Sequence, residues 1–123
     1  MTRKIEKPWG YEDIWAQTTQ YVGKILFVKK GCRLSLQHHE QKMEDMLVVQ
    51  GRLLLELQNE HGVIQKIDLH EGDRIHISPK RIHRLEAYQD SKIIEVSTPH
   101  LDDVIRHEDD YGRVKSLDNK SGF

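Results

Sequence analysis

Short apolar runs, each ended by turn residues, are the feature that most constrains the fold of this chain. About eight such runs of strand length follow one another over residues 21–98, punctuated by residues such as Gly31, Gly51 and Pro79. No segment before residue 99 has the 3.6-residue apolar period of an amphipathic helix. The pattern therefore predicts an all-β fold, either an antiparallel sandwich or a jelly-roll barrel.

The chain is expected to form one domain, because its 123 residues can bury one modest core. Pro99 ends the last apolar run, and Asp102 or Asp103 is suited to cap a short helical turn. We therefore expect the chain to end in a short helical or irregular tail. The predicted parts are an N-terminal arm, a barrel and a C-terminal tail, at residues 1–20, 21–98 and 99–123 of a single domain over 1–123.

Charge and hydropathy narrow the class of partner. The formal net charge is −1 and no long basic block occurs, which argues against nucleic-acid binding because that usually requires a basic face. No apolar run approaches the ~20 residues that span a membrane, and the start "MTRKIEKPWG" lacks a signal-peptide segment. The single cysteine, Cys32, predicts no intrachain disulfide. These observations favour a cytoplasmic protein that binds a small molecule.

The segment "GCRLSLQHHEQKMEDMLVVQG", residues 31–51, places many polar groups beside predicted strands. Alternate residues of a strand share a face. Two sets of side chains result: a polar set of Arg33, Ser35, Gln37 and His39, and a packing set of Leu34, Leu36 and His38. The polar set faces either solvent or a polar cavity inside a barrel, and His38 is expected to point away and to be structural.

A metal site is one hypothesis for this segment. Glu44 begins the next predicted strand near the His39 end, and His83 begins another strand after a turn led by Pro79. Imidazoles and a carboxylate that converge from adjacent strands suit zinc, manganese, iron or nickel, and the Gln37 carbonyl oxygen can supply another bond. The alternative is that these histidines, like others in the chain, only lie at the surface or form hydrogen bonds.

Two segments of the chain resemble the two cupin motifs. The first motif is resembled by Gly31, Gln37, His39, Glu44 and Gly51, which are separated by five, one, four and six residues. Most cupins have a histidine where this chain has Gln37. The second motif is resembled by "GDRIHISPKRIHRLEA", with Gly72, Pro79 and His83 at the motif positions. Here Arg81 replaces the usual glycine, and the interval from Pro79 to His83 is one residue shorter.

A closer resemblance covers residues 5 to 115. The segments "KPWGYE", "GCRLSLQ", "HRLE", "IIEV" and "HEDDYGR" resemble the C-terminal cupin domain of type II mannose-6-phosphate isomerases, which is often fused to a mannose-1-phosphate guanylyltransferase. The resemblance implies a stand-alone cupin jelly roll that isomerises a hexose 6-phosphate between aldose and ketose. It also implies a divalent metal ion, with zinc as the first choice, held by Gln37, His39, Glu44 and His83.

The implied substrate assigns further roles, because a phosphate requires cations or amide donors. Arg33 is expected to point into the cavity, where its anionic partner is either a substrate phosphate or an internal acid such as Glu95. Lys24 is the second candidate for substrate binding. Arg84 is the third, although strand alternation turns it to the opposite face. Arg33 and Glu95 are the catalytic candidates: burial would suit Glu95 to act as the general base, and a structural salt bridge is its alternative role.

Two other functions are kept beside the isomerase. One is a non-catalytic cupin that binds a sugar or sugar nucleotide for a partner enzyme. The other is an iron-dependent oxygenase that uses two histidines and a carboxylate. A homodimer is expected, because the run "LLLEL" at residues 53–57 reads as an exposed apolar surface.

Overall fold

The structure is a computed structural model that describes residues 3–114. The last residues of the predicted tail, 115–123, lie outside the described residues. The described chain is all-β, as predicted, and none of its elements is a helix that could cross a membrane. Its strands are β1 (Arg3–Lys7), β2 (Gly10–Gln17), β3 (Val22–Val28), β4 (Leu36–His38), β5 (Glu44–Gln50), β6 (Leu53–Gln58), β7 (Ile64–Leu69), β8 (Arg74–Ile77), β9 (His83–Ala87), β10 (Ser91–Ser97) and β11 (Ile105–Glu108).

The strands form two antiparallel sheets that face each other. The larger sheet has the order β1-β2-β3-β10-β5-β8, and the smaller has the order β11-β4-β9-β6-β7. Consecutive strands often lie in different sheets, as in a jelly roll. The jelly-roll barrel predicted from the sequence is therefore confirmed. The predicted N-terminal arm is part of its wall, since β1 and β2 extend the larger sheet.

The apolar core fills the space between the sheets. Leu53 and Leu55 are fully buried and Leu57 is 7% exposed, whereas the alternate residues Leu54 and Glu56 are half-buried on the other face of β6. This alternation is the ordinary period of a strand. The expectation that "LLLEL" forms an exposed apolar surface is therefore wrong, because three of its leucines belong to the core. The homodimer stays a prediction.

The tail differs from the helical turn that we expected. No helix occurs within residues 99–114; instead, β11 pairs with β4 and extends the smaller sheet. Asp103 caps a loop rather than a helix, because its carboxylate accepts hydrogen bonds from the backbone N–H groups of Glu40, Gln41 and Lys42. The pKa of Asp103 is lowered to about 2, since these three hydrogen bonds outweigh its desolvation. The tail thereby holds the loop that connects β4 to β5.

Candidate metal centre

Three buried side chains converge at one end of the barrel. His39 follows β4, Glu44 begins β5 and His83 begins β9, and each is at most 4% exposed. His39 Nε2 lies 3.3 Å from Glu44 Oε2, and His83 Nε2 lies 3.9 Å from Glu44 Oε1. One ligand atom of each residue falls within 4.8 Å of the other two. The fold therefore brings together two imidazoles and a carboxylate from three separate segments.

The hydrogen bonds of the two imidazoles define their tautomers. Nδ1 of His39 lies 2.6 Å from the Asp103 carbonyl oxygen, and Nδ1 of His83 lies 2.9 Å from the Arg81 carbonyl oxygen. A carbonyl oxygen can only accept, so each Nδ1–H donates. In the neutral rings both Nε2 atoms then present lone pairs to Glu44. Such an arrangement is the usual one for metal-binding histidines.

Two nitrogen atoms at the centre of this cluster, Nε2 of His39 and Nε2 of His83, are buried and have no hydrogen-bond partner among the described residues. The nearby Oε2 of Glu44 is also buried, and its contact is an ion pair with Lys42 Nζ at 3.1 Å. Unpartnered buried polar atoms are costly, and here two imidazole acceptors face a carboxylate. A divalent cation would satisfy them together, and nitrogen and carboxylate donors of this kind suit zinc or another borderline metal. The residues present therefore fit the expected ion.

Charge at the cluster also suits a cation. Burial lowers the pKa of His83 by more than the neighbouring carboxylate raises it, so the ring stays neutral. Burial by itself raises the pKa of Glu44, but the nearby positive charge of Lys42 holds that pKa well below its usual range. Metal ligands must be deprotonated, and both residues meet this requirement.

Gln37 lies beside the three residues on the cavity wall. In the sheet it stands directly opposite His83, so the two side chains share the inward face. Its Oε1 accepts a hydrogen bond from Ser35 Oγ at 2.7 Å. A carbonyl oxygen has two lone pairs, so one remains for a further bond. The structure therefore places Gln37 next to the cluster, with its oxygen oriented by Ser35.

Lys42 was missed in the sequence analysis and is central to the site. It is 6% exposed, and its Nζ lies 3.1 Å from Glu44 Oε2 and 3.0 Å from Glu95 Oε2. Although burial lowers its pKa, the two carboxylates raise the pKa above its usual range, so Lys42 is cationic. It lies in a loop, where strand alternation makes no prediction. Its position two residues before Glu44 was the available signal.

The two other inward-facing candidates line the same cavity. Glu95 is 4% exposed and stands opposite Lys24 in the pairing of β10 with β3. Burial and the nearby charge of Glu44 raise the pKa of Glu95, despite the opposing effect of Lys42. Lys24 is buried, and its Nζ lies 3.2 Å from Glu12 Oε1. Lys24 therefore pairs with Glu12 and not with Glu95, which contacts Lys42.

Arg33 does not point into the cavity, and that expectation is wrong. Its Nε and Nη2 donate to the carboxylate of Asp110 at 2.7 and 2.9 Å, and it is absent from the cavity wall. Regular pairing of β4 begins only at Leu36, and Arg33 forms an isolated bridge with Glu86. Strand alternation therefore does not extend back to Arg33. Its anionic partner is Asp110, which neither of the expected alternatives included.

Arg84 is oriented as strand alternation predicted. It is 5% exposed and borders the cavity, but its guanidinium ion-pairs with Glu56 and Glu108, each at 3.3 Å. Glu56 stands opposite Arg84 on β6, on the face away from the core. The structure thus separates Arg84 from the cluster formed by its neighbour His83.

The cluster lines a cavity between the two sheets. The cavity has a volume of about 110 Å³, several times the ~10–15 Å³ that one water molecule needs. His38, in contrast, lies outside it and hydrogen-bonds to His107 and Glu40. The cavity gives a small polar ligand access to the three converging residues.

Comparisons with known proteins agree with this geometry. Residues 1–110 match the family described as mannose-6-phosphate isomerase C-terminal. The mannose-1-phosphate guanylyltransferase ManC of Salmonella typhimurium is 36% identical over 119 residues, which cover 93% of this chain and 24% of ManC. The xanthan biosynthesis protein XanB of Xanthomonas campestris is 32% identical over 117 residues, which cover 91% of this chain and 24% of XanB. The chain thus spans about a quarter of the length of these relatives.

The fold is also found in solved structures. An RmlC-like cupin from Shewanella frigidimarina superposes with a TM-score of 0.68 at 18% sequence identity, over 80% of this chain and 85% of that one. At this identity the likeness shows the fold alone. The barrel therefore has the cupin fold, as the motif resemblance implied.

Proposed function

The chain belongs to the family of mannose-6-phosphate isomerase C-terminal domains, and on this premise we propose that it is a metal-dependent isomerase that interconverts an aldose phosphate and its ketose. One observation carries the proposal: among the described residues, two buried, unpartnered imidazole nitrogens and a buried carboxylate face one another in a cavity, beside an ion pair between Lys42 and Glu95. The cavity thus combines a place for a cation with a buried acid–base pair. A hexose 6-phosphate is the proposed substrate.

The proposed metal ligands are Nε2 of His39, Nε2 of His83 and the carboxylate of Glu44, with the Gln37 carbonyl oxygen as a fourth. Zinc is the first choice, because nitrogen and carboxylate ligands of this kind are common for it. When bound, the metal polarises the oxygens next to the reacting carbons and stabilises negative charge there. The protein holds its ligands in place through the carbonyls of Asp103 and Arg81.

Glu95 is the proposed general base. The reaction requires a proton to leave the carbon beside the carbonyl, an enediol to form, and the proton to return to the neighbouring carbon. A base serves best when its pKa lies near the working pH, and burial raises the pKa of Glu95 in that direction. Lys42 orients the Glu95 carboxylate and places a positive charge beside the oxygens on which negative charge develops.

The same ion pair favours a second candidate function. An ammonium held 3.0 Å from a carboxylate opposes proton uptake by that carboxylate, and such a buried ion pair can also be purely structural. The chain would then be a non-catalytic cupin that binds a sugar or sugar nucleotide. This candidate predicts ligand-dependent thermal stabilisation without turnover.

The direct test is incubation of the metal-loaded protein with mannose 6-phosphate, followed by measurement of fructose 6-phosphate. We expect turnover, and we expect Glu95→Gln to lower kcat by about 10²–10⁴-fold. Glu60→Gln is the matched control, since Glu60 is exposed in a turn. Absence of turnover with mannose 6-phosphate and other common aldose phosphates, in protein shown to contain metal, would overturn the proposal. Ligand-dependent stabilisation in that same sample would favour the binding protein.

A further inference from the structure

A row of three side chains crosses the smaller sheet at the cavity. Arg106 on β11 stands opposite Gln37 on β4, and Gln37 stands opposite His83 on β9. Directly opposed residues point to the same face, and all three line the cavity. Neighbouring strands lie about 4.8 Å apart, so the backbone of Arg106 is about 10 Å from that of His83. Arg106 therefore faces the same space as the candidate metal ligands, but from the edge of the sheet.

Within residues 3–114, the guanidinium of Arg106 has no hydrogen-bonding partner at its Nε, which is buried. The two acids whose charges attract it, Asp109 and Glu12, pair with other cations. Asp109 accepts hydrogen bonds from Nε and Nη2 of Arg113 at 2.8 and 3.0 Å. Glu12 forms an ion pair with Lys24 at 3.2 Å. Burial and the charge of Arg113 lower the pKa of Arg106. An anion beside this guanidinium would supply what the described chain does not.

The cavity as a whole has an excess of positive charge. Six lysine and arginine residues border it, and two of them, Arg84 and Arg113, ion-pair with acids outside the cavity wall. The other four, Lys7, Lys24, Lys42 and Arg106, stand against the three carboxylates of Glu12, Glu44 and Glu95. A bound divalent metal would increase this excess. A ligand that carries a dianionic group is therefore favoured over a neutral sugar.

We propose that Arg106 binds the phosphate group of the ligand in this cavity. A planar guanidinium donates two parallel hydrogen bonds to phosphate oxygens. The inference rests on the proposed function, because it assigns the phosphate end of a sugar phosphate whose reacting carbons lie toward His39 and Glu44. It gives to Arg106 the role that the sequence had suggested for Arg33 and Arg84, which are paired with acids.

Binding measurements on Arg106→Gln test this subsite independently of turnover. The matched control is Arg74→Gln, because Arg74 also lies on a four-residue edge strand but is exposed on the far sheet. Calorimetric titration at equal metal content would use mannose 6-phosphate, inorganic phosphate and mannose. We expect Arg106→Gln to raise the Kd for mannose 6-phosphate about 10–100-fold, as for the loss of charged hydrogen bonds. Binding of mannose should not change, and the control should match the unmodified chain.

Three outcomes of these titrations would overturn the subsite. They are an unchanged Kd for mannose 6-phosphate in Arg106→Gln, an equal loss of mannose binding, and an equal loss in the control. Inorganic phosphate should compete with mannose 6-phosphate in the unmodified chain and not in Arg106→Gln; competition in both proteins would place the phosphate elsewhere. If Arg106→Gln does not fold, Arg106→Lys keeps the charge without the planar fork, and a rise in Kd of about 3–10-fold is expected. An unchanged Kd in that variant would count against the proposal.

Kinetics separate failure of the subsite from failure of the isomerase proposal. If the chain is an isomerase, Arg106→Gln should raise KM for mannose 6-phosphate more than it lowers kcat. Turnover with an unchanged KM in Arg106→Gln would overturn the subsite and leave the isomerase intact. No turnover in any variant, together with the loss of phosphate-dependent binding in Arg106→Gln, would overturn the isomerase and support the subsite.

Discussion

The interior of the barrel has two unlike halves that are built from the same strands. One half is polar and the other apolar. The polar half holds one inward-facing residue from each of β5, β9 and β10, and the apolar half holds another: Glu44 and Val48 on β5, His83 and Ala87 on β9, and Glu95 and Ile93 on β10. Burial of apolar surface stabilises the fold by about 25 cal/mol per Å². Burial of charged groups costs free energy unless each is well paired. The apolar half therefore holds the barrel together, and the polar half is better explained by binding or chemistry.

The largest expected effect comes from removing the cation of the polar half. Lys42→Met should lower the free energy of unfolding of the metal-free protein by about 3–5 kcal/mol, because it leaves the buried carboxylates of Glu44 and Glu95 without their shared partner. Denaturant unfolding measures this, with Lys66→Met on exposed β7 as control. Adding Glu95→Gln to Lys42→Met should restore part of the loss. A loss no larger than that of the control would mean that the polar half is more solvated than the structure shows.

The apolar half should respond to a cavity in its centre. Leu55→Ala should lower the free energy of unfolding by about 2–5 kcal/mol, since Leu55 is fully buried. Leu54→Ala is the matched control from the next position of the same strand, where the side chain is half-buried on the other face, and it should cost much less. Equal losses in the two variants would contradict the division of β6 into an inner and an outer face.

Metal binding should stabilise the polar half and depend on one of two adjacent histidines. At a zinc concentration of 100 times its Kd, the unmodified chain should gain about 2.7 kcal/mol, seen as a rise in Tm that a chelator reverses. His39→Ala should abolish this rise. His38→Ala should keep it, because His38 lies outside the cavity with His107 and Glu40. Elemental analysis gives the metal content of each variant, and a metal-dependent rise that survives in His39→Ala would contradict the site.

The smallest expected effect concerns the loop that carries Lys42. Asp103→Asn should lower the free energy of unfolding by about 1 kcal/mol, as for the loss of a capping carboxylate, with Asp102→Asn as the exposed control. The pKa of Asp103 is lowered from 3.8 to about 2. Its contribution is therefore complete above pH 4 and is lost as the pH falls toward 2. The difference between the unmodified chain and Asp103→Asn should shrink over that interval, and a constant difference would assign the effect to another group.

Sequence reasoning succeeded where a local period applied. The alternation of Leu53, Leu55 and Leu57 follows from the period of a strand. The expectation that these leucines lie at the surface was wrong, because they are part of the core. His39, Glu44 and His83 were brought together by motif spacing, and the fold places them within 4.8 Å of one another. The succession of short apolar runs predicted an antiparallel sandwich or a jelly-roll barrel, and the cupin resemblance implied the jelly roll.

Local reasoning failed where the chain is irregular or pairs over a long distance. Arg33 precedes the regular part of β4, so alternation assigned it to the wrong face. Lys42 lies in a loop whose shape depends on Asp103, 61 residues further along the chain. β11 forms only because β4 offers it an edge to pair with. None of these contacts leaves a periodic trace in the sequence.

The order of residues thus specified which side chains alternate along each strand and which of them can bind a metal, because these properties depend on near neighbours and on residue chemistry. The partners of the charged side chains depended on the register between distant strands and on the pairing of β11 with β4. In the folded chain Arg33 hydrogen-bonds to Asp110, whereas Arg106 lines the cavity and its Nε has no hydrogen-bond partner among the described residues. Charged groups find partners across space rather than along the chain, so the arginine proposed to meet the phosphate became apparent only in the folded barrel.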